Sequence, residues 1–296
     1  MRTSSMNIQD LFLKDYPSFD GVFDCIPDAS RNDRVKSVEM ETYSHRAHDF
    51  CEEEIHQISS QESRSLDPLR SIPKPAVLLE LGCGNARFGS QLRREGYTVI
   101  ESDIALGTVK KVRESADAAH RDQGLYAAID AEELPFRDQT LDAIFVVATF
   151  HHLPNPGRAL AEMARALKPG GRIALLREPA SWQYRVFGKA YEIIREKLRA
   201  RNHNPFSHAD DETLGFSPQS IRELLSPYFS DITLVPVQYS EKCYLNALAL
   251  ASKFFRKKFS PLPLISRPLQ ALDAIFSRTP LIKQFPWDWD VHAKKS

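Results

Sequence analysis

Between residues 76 and 177, short apolar runs alternate with segments whose apolar positions recur every three or four residues. That alternation is the signature of βα units building a mainly parallel sheet. The runs predict strands at 76–81, 97–102, 126–129, 141–149 and 172–177, with helices at 88–95, 106–119 and 156–167 between them. Gly96 stops the first of these helices and Pro169-Gly170-Gly171 the last. Farther on, Ser217 and Pro218 read as the N-cap and first residue of a helix over 218–225, and DITLVPV at 231–237 reads as a strand. The final strand is the clearest, because Trp287, Trp289, Val291 and Ala293 alternate with Asp288, Asp290, His292 and Lys294.

Other stretches fall outside this rhythm. Residues 1–75 are polar and mixed, with one amphipathic helix expected over 38–58 and a Ser/Pro-containing connection after it, and they read as an N-terminal helical extension to a domain spanning 76–296. Two insertions interrupt that domain, at about 180–215 and 241–285. The first carries a helical stretch (181–201) and the polar loop NHNPFSHADDETLG; the second carries helix candidates at 246–258 and 264–277. Both are candidates for a lid or an acceptor site. No internal repeat or low-complexity tract is present.

A chain of 296 residues, 42% apolar and 26% charged, can bury a sizeable core. Its 39 basic side chains equal its 39 acidic ones, which removes the general attraction that a dedicated nucleic-acid binder exerts on phosphates. Cys25, Cys51, Cys83 and Cys243 lack metal-ligand spacing, so the reading is reduced thiols, no metal and a cytoplasmic setting. The first residues, MRTSSMNIQDLFLKDY, lack the apolar core of a signal peptide, and no run approaches the roughly 18 residues of a membrane span. One segment, 253–259 (KFFRKKF), mixes Phe254, Phe255 and Phe259 with Lys253, Arg256, Lys257 and Lys258 and is a candidate for peripheral contact with an anionic membrane.

The chemistry concentrates at the ends of the expected strands. In VLLELGCGNARFG (77–89), Gly82 and Gly84 flank Cys83 after Glu80, and glycines there let the backbone turn sharply and approach a ligand. A dinucleotide fingerprint would need glycine where Arg87 stands, which weakens a nicotinamide reading. Asp103, with Ile104 beside it, ends the second strand about twenty residues later, where a carboxylate accepts the hydroxyls of a ribose. Asp130 and Ala131 end the third strand, where a carboxylate and a backbone N–H can read an adenine edge. His151 and His152 end the fourth strand and are the candidate general bases. Trp182, Tyr184, Phe187 and Tyr191 are candidates for lining an acceptor pocket.

These elements, together with LKPGGRIALLREP (167–179), resemble in order and spacing the class I methyltransferases that use S-adenosyl-L-methionine (SAM), particularly the ubiquinone and menaquinone biosynthesis (type 11) group. The resemblance implies a doubly wound, Rossmann-like α/β fold: a seven-stranded, mainly parallel sheet with an antiparallel last strand, plus helical insertions. It implies SAM as cofactor, with Glu80, Gly82, Cys83 and Gly84 under the methionine, Asp103 and Ile104 at the ribose, and Asp130 and Ala131 at the adenine. Ala86 departs from the third glycine of many members. The implied activity is methyl transfer to an O, N or C atom of a small-molecule or lipid-like acceptor. The alternatives are a SAM-binding partner without catalysis and a nicotinamide-dependent oxidoreductase.

Overall fold

The computed structural model describes residues 8–47, 58–116, 121, 124–199, 215–255, 257 and 259–296. In chain order the elements are β1 (Ser18–Phe19), β2 (Val22–Asp24), α1 (Asp28–Asn32), α2 (Arg34–Arg46), α3 (Ser60–Ser65), α4 (Asp67–Arg70), β3 (Val77–Leu81), α5 (Arg87–Arg94), β4 (Thr98–Asp103), α6 (Leu106–Ser115), β5 (Leu125–Ala128) and β6 (Leu141–Val147). There follow a 3-10 turn at Phe150–His152, α7 (Pro156–Ala166), β7 (Leu167–Pro179), α8 (Ser181–Arg199), α9 (Pro218–Leu225), β8 (Phe229–Val237), α10 (Ser240–Phe255), α11 (Pro263–Phe276) and β9 (Asp288–Lys295).

One sheet runs in the order β1-β2-β5-β4-β3-β6-β7-β9-β8. From β2 to β7 every neighbouring pair is parallel, whereas β9 runs antiparallel between β7 and β8. The sheet therefore has nine strands among the described residues, not seven. The two extra strands correct the helical reading of 1–75: Val22–Asp24 pairs with β5, and Ser18–Phe19 closes the edge as a hairpin. Strands of two and three residues are too short to show a period of two. The expected 38–58 helix begins earlier, as α2, and residues 48–57 lie outside those described.

Both faces of the central strands are covered, which is why they read as continuous apolar runs. Leu79, Leu81, Ile144, Val146 and Leu175 pack on one face with Leu160 and Met163 of α7 and Ile221 of α9. Leu78, Val99, Phe145 and Leu176 pack on the other with Leu69, Phe88 and Leu92. Each such burial is worth about 1.5–3 kcal/mol relative to exposure. The sheet order reverses between β3 and β6, and in an open α/β sheet the crevice at that switch, outside the carboxyl ends of the strands, is where ligands bind.

Candidate functional site

The loop from β3 into α5 forms the floor of that crevice. Gly82 has φ +68, and a Cβ on it would lie 2.2 Å from Thr149 Cγ2, so only glycine fits between the two strand ends. Thr149 Oγ1 donates to Gly82 O at 3.2 Å, tying β6 to the loop. Gly84 has φ +50, and a Cβ there would meet nothing within 4 Å. Glu80 is buried, and its carboxylate accepts the Gly89 N–H at 3.1 Å. Burial and the neighbouring Glu101 push its carboxyl well above the usual range. Burial also pushes the Cys83 thiol well up, which leaves it protonated and unreactive.

At the end of β4, Asp103 accepts the Gly84 N–H at 3.2 Å and the Ala105 N–H at 3.0 Å, one on each carboxylate oxygen. The Ile104 amide bonds this carboxylate as well, and the lone-pair capacity left over faces the crevice, where it can accept a ligand hydroxyl. Burial pushes its pKa up to about 6, against the lowering effect of those amides.

Asp130 is engaged differently. Its Oδ2 accepts Ser30 Oγ at 2.6 Å and Lys36 Nζ at 2.7 Å, and its Oδ1 accepts the Glu132 N–H at 2.9 Å. Lys36 Nζ also donates to Glu132 at 2.9 Å. Burial alone would lower the Lys36 ammonium, but bonds to Asp130 and Glu132 outweigh it and hold it above its ordinary value. The buried residues of α2 are charged, Lys36 and Glu39, so this helix is fastened over the crevice by charge pairing instead of by an apolar stripe.

The two histidine rings lie 4.2 Å apart, centre to centre, but have different partners. His151 Nδ1 lies 2.9 Å from Glu178, whose buried carboxylate also accepts the N–H groups of Thr149, Phe150 and His151. Glu178 thus fixes the whole 3-10 turn. His152 instead lines the crevice, with Glu39 3.7 Å from its Nδ1 and the Tyr43 ring edge-on at 6.0 Å.

Together these residues enclose a cavity of about 290 Å³, at the lower end for small-molecule sites. Glu80, Gly82, Cys83, Gly84, Asp103, Ile104, Asp130, Ala131 and His152 line it; His151 does not. Lys36, Glu39, Tyr43 and Glu132 line it too, and sequence reasoning missed them. Trp182 and Phe187 pack with Trp287 and lie apart from this cavity, as does Tyr184; the side chain of Tyr191 is outside those described. No cluster of His, Cys, Asp and Glu able to hold a metal occurs among the described residues.

A family model described as a methyltransferase domain matches residues 79–175, the stretch that builds this crevice. Residues 79–175 carry a class I methyltransferase domain. SAM is the cofactor of that domain, and the match displaces the nicotinamide reading. The crevice fits such a group: glycine at 84 leaves open space facing the cavity, and Asp103 offers free lone pairs beside it. Over 99 residues the chain is 33% identical to the demethylmenaquinone methyltransferase of Thermobifida fusca, covering 33% of this chain and 42% of that protein. Over 155 residues it is 36% identical to the ubiquinone/menaquinone biosynthesis C-methyltransferase UbiE of Idiomarina loihiensis, covering 44% and 57%. The match therefore spans about half the length of these relatives. The crystal structure of the [4+2]-cyclase SpnF superposes with a TM-score of 0.53 at 14% identity, covering 88% of this chain and 94% of that one. At that identity the likeness is one of fold alone.

Proposed function

We propose that the chain transfers the methyl group of SAM to an O, N or C atom of a small-molecule or lipid-like acceptor. The observation that supports this best is the single cavity at the switch point, which gathers the glycine loop, Asp103, the Asp130–Ala131 pair and His152 around one space. Bound SAM supplies a methyl already activated on a sulfonium, so the protein has mainly to align an acceptor and exclude water. In this reading Asp103 accepts the ribose hydroxyls and the Gly82–Gly84 loop leaves room for the methionine. Asp130 holds α2 down as a roof, and the backbone beside it at Ala131 faces the adenine. His152 takes a proton from the acceptor, with Glu39 placed to stabilise the imidazolium, while His151 is a positioning residue held by Glu178.

The relatives' names, which speak of menaquinone and ubiquinone biosynthesis, support a lipid-like acceptor. Peripheral membrane contact belongs to the same reading. In the 253–259 segment Phe255 and Phe259 are exposed, whereas the side chains of Lys253, Phe254, Arg256 and Lys258 lie outside those described. No described helix is long and apolar enough to cross a membrane. A cytoplasmic setting fits the unpaired Cys25, Cys83 and Cys243; Cys51 is outside the described residues.

Calorimetric titration with SAM and S-adenosylhomocysteine, with NAD(H) as control, tests the cofactor assignment. Saturable binding of the first two supports it, and binding of NAD(H) alone would sink it. Transfer of label from SAM to a component of a cell metabolite extract tests turnover; binding without transfer would leave a SAM-binding partner protein.

A further inference from the structure

A second cavity, of about 1020 Å³, lies among α3, the end of β7 and the α10–α11 pair. It adjoins the first at Arg87, which lines both. Arg177 faces it from β7, at the place where the register with β9 slips between Leu175 and Glu178. With φ +60, Arg177 sits in the left-handed region that a bulky side chain rarely adopts. Its residue is 7% exposed, yet none of its three guanidinium nitrogens has a hydrogen-bond partner among the described residues.

The reason is that every carboxylate near Arg177 is committed elsewhere. Asp290 accepts the Arg177 backbone N–H at 2.9 Å and the Ser65 hydroxyl at 2.5 Å, and stands 4.0 Å from Nε. Glu62 is held by Arg87 at 3.2 Å and by the Ser59 N–H at 2.7 Å. Glu241 accepts from Gln270 at 2.8 Å, and Asp288 from Lys242 at 3.0 Å. These groups offset the charge of Arg177 through space but leave its N–H donors unfilled, and unfilled buried donors are costly. Two further buried polar atoms of the same wall, Gln238 Oε1 and Ser266 Oγ, are likewise without partners among the described residues.

The lining charge is also one-sided. Arg64, Arg87, Arg177 and Arg267 face only Glu62 and Glu241 there, and both carboxylates are already bonded. A planar guanidinium whose buried donors the fold leaves unfilled is shaped for an oxyanion, which it takes through paired N–H···O bonds. Leu245 and Ala271 add apolar surface to the lining.

Resting on the methyltransferase reading, we infer that this second cavity binds the oxyanionic end of the acceptor, a carboxylate or phosphate on an apolar body, with Arg177 as its chief ligand. The cavity around Arg87 then joins cofactor and acceptor compartments, and the acceptor's reacting end lies toward His152 while its anionic end is held at Arg177.

The test titrates octyl phosphate and octanoate into the full chain by calorimetry, with S-adenosylhomocysteine titrated in parallel. One or both amphiphiles should bind saturably, and whichever binds more tightly identifies phosphate or carboxylate as the group selected. Arg177→Gln should weaken that binding at least about tenfold, as expected for losing charge-assisted hydrogen bonds, and leave S-adenosylhomocysteine affinity unchanged. Arg267→Gln, at an exposed position, should weaken it a few-fold and decides the matter should the Arg177 variant not fold. Failure of both amphiphiles to bind a chain that binds S-adenosylhomocysteine overturns the inference, as does undiminished binding by either variant. Failure of the wild-type chain to bind S-adenosylhomocysteine strikes the cofactor reading instead, and the amphiphile titrations still decide whether Arg177 holds an oxyanion.

Discussion

Lys36 and Arg177 are both buried cations near the carboxyl ends of the strands, on either side of the switch-point crevice, and the chain treats them in opposite ways. The Lys36 ammonium is shared between Asp130 and Glu132, within hydrogen-bond distance of each. The Arg177 guanidinium has carboxylates around it but no hydrogen bond to any. Burying a charge is expensive unless its hydrogen-bonding capacity is met. The saturated cation is a structural fastening, whereas the unsaturated one keeps donors that the fold itself does not fill. The distinction separates two groups that look alike by burial and charge alone.

The largest expected effect comes from breaking the saturated pair. Lys36→Met leaves the Asp130 and Glu132 carboxylates buried without their cation, and loss of one partner from a buried pair costs about 3–5 kcal/mol. Urea unfolding of the variant should show a loss of that size. Because the folded-state pKa of Lys36 is raised, its contribution is fully present below the unfolded value of 10.5 and fades as pH rises beyond it. A loss under about 1 kcal/mol, the range of an exposed ion pair, would mean that α2 is not fastened by charge.

How much of this was visible in the sequence depends on distance along the chain. Gly82, Gly84, Asp103 and Asp130 stand at the ends of strands that announce themselves locally, so their convergence could be read from topology. Lys36 meets a partner 94 residues away and Ser30 one 100 residues away, and no local period reports such contacts. The helix that carries Lys36 buries charge, so no apolar stripe in the sequence marks its inward face. The final strand shows the same limit. Its alternation places Trp289 and Val291 in the core, yet Asp288 and Asp290 on the other face are buried as well, since α3, α10 and β7 supply them with Ser65, Lys242 and the Arg177 N–H. Alternation tells which residues share a face but not what covers it. His151 and His152 look equivalent in the sequence, because only the fold brings Glu178 to the first.

The next effect lies in cofactor affinity. Asp103→Ala removes the only carboxylate that ends β4 over the crevice, and charge-assisted hydrogen bonds are worth about 1.5–3 kcal/mol. S-adenosylhomocysteine should bind roughly 10- to 100-fold more weakly by calorimetry, at unchanged stoichiometry; equal affinity would place the ribose elsewhere. The same carboxylate sets a pH dependence of smaller size per unit. Its pKa, pushed up to about 6 by burial, means that affinity is flat above that value and falls about tenfold per unit below it, as the acceptor oxygens become protonated. Stability moves the other way. The folded chain holds the Asp103 proton more tightly than the unfolded chain, so this group's contribution is present at low pH and lost as pH rises from 3.8 through about 6. Affinity and stability curves that rise together across that window would contradict the assignment.

The smallest effect is expected where the comparison is sharpest. Arg177→Met keeps much of the unbranched stem while removing a guanidinium that makes no side-chain hydrogen bond. What is lost is attraction through space to Asp290, Glu62, Glu241 and Asp288, each of which keeps its own bonded partners. What is relieved is the cost of burying unfilled donors. Replacing a poorly satisfied buried charge by an apolar group of similar size is often neutral or stabilising, so unfolding in urea should differ from the wild type by no more than about 1 kcal/mol. The contrast with Lys36→Met is the decisive reading: losses of equal size would make Arg177 a fastening like Lys36, whereas a large loss at Lys36 beside a negligible one at Arg177 would show that the fold does not need the second cation, leaving ligand binding as the reason to keep it.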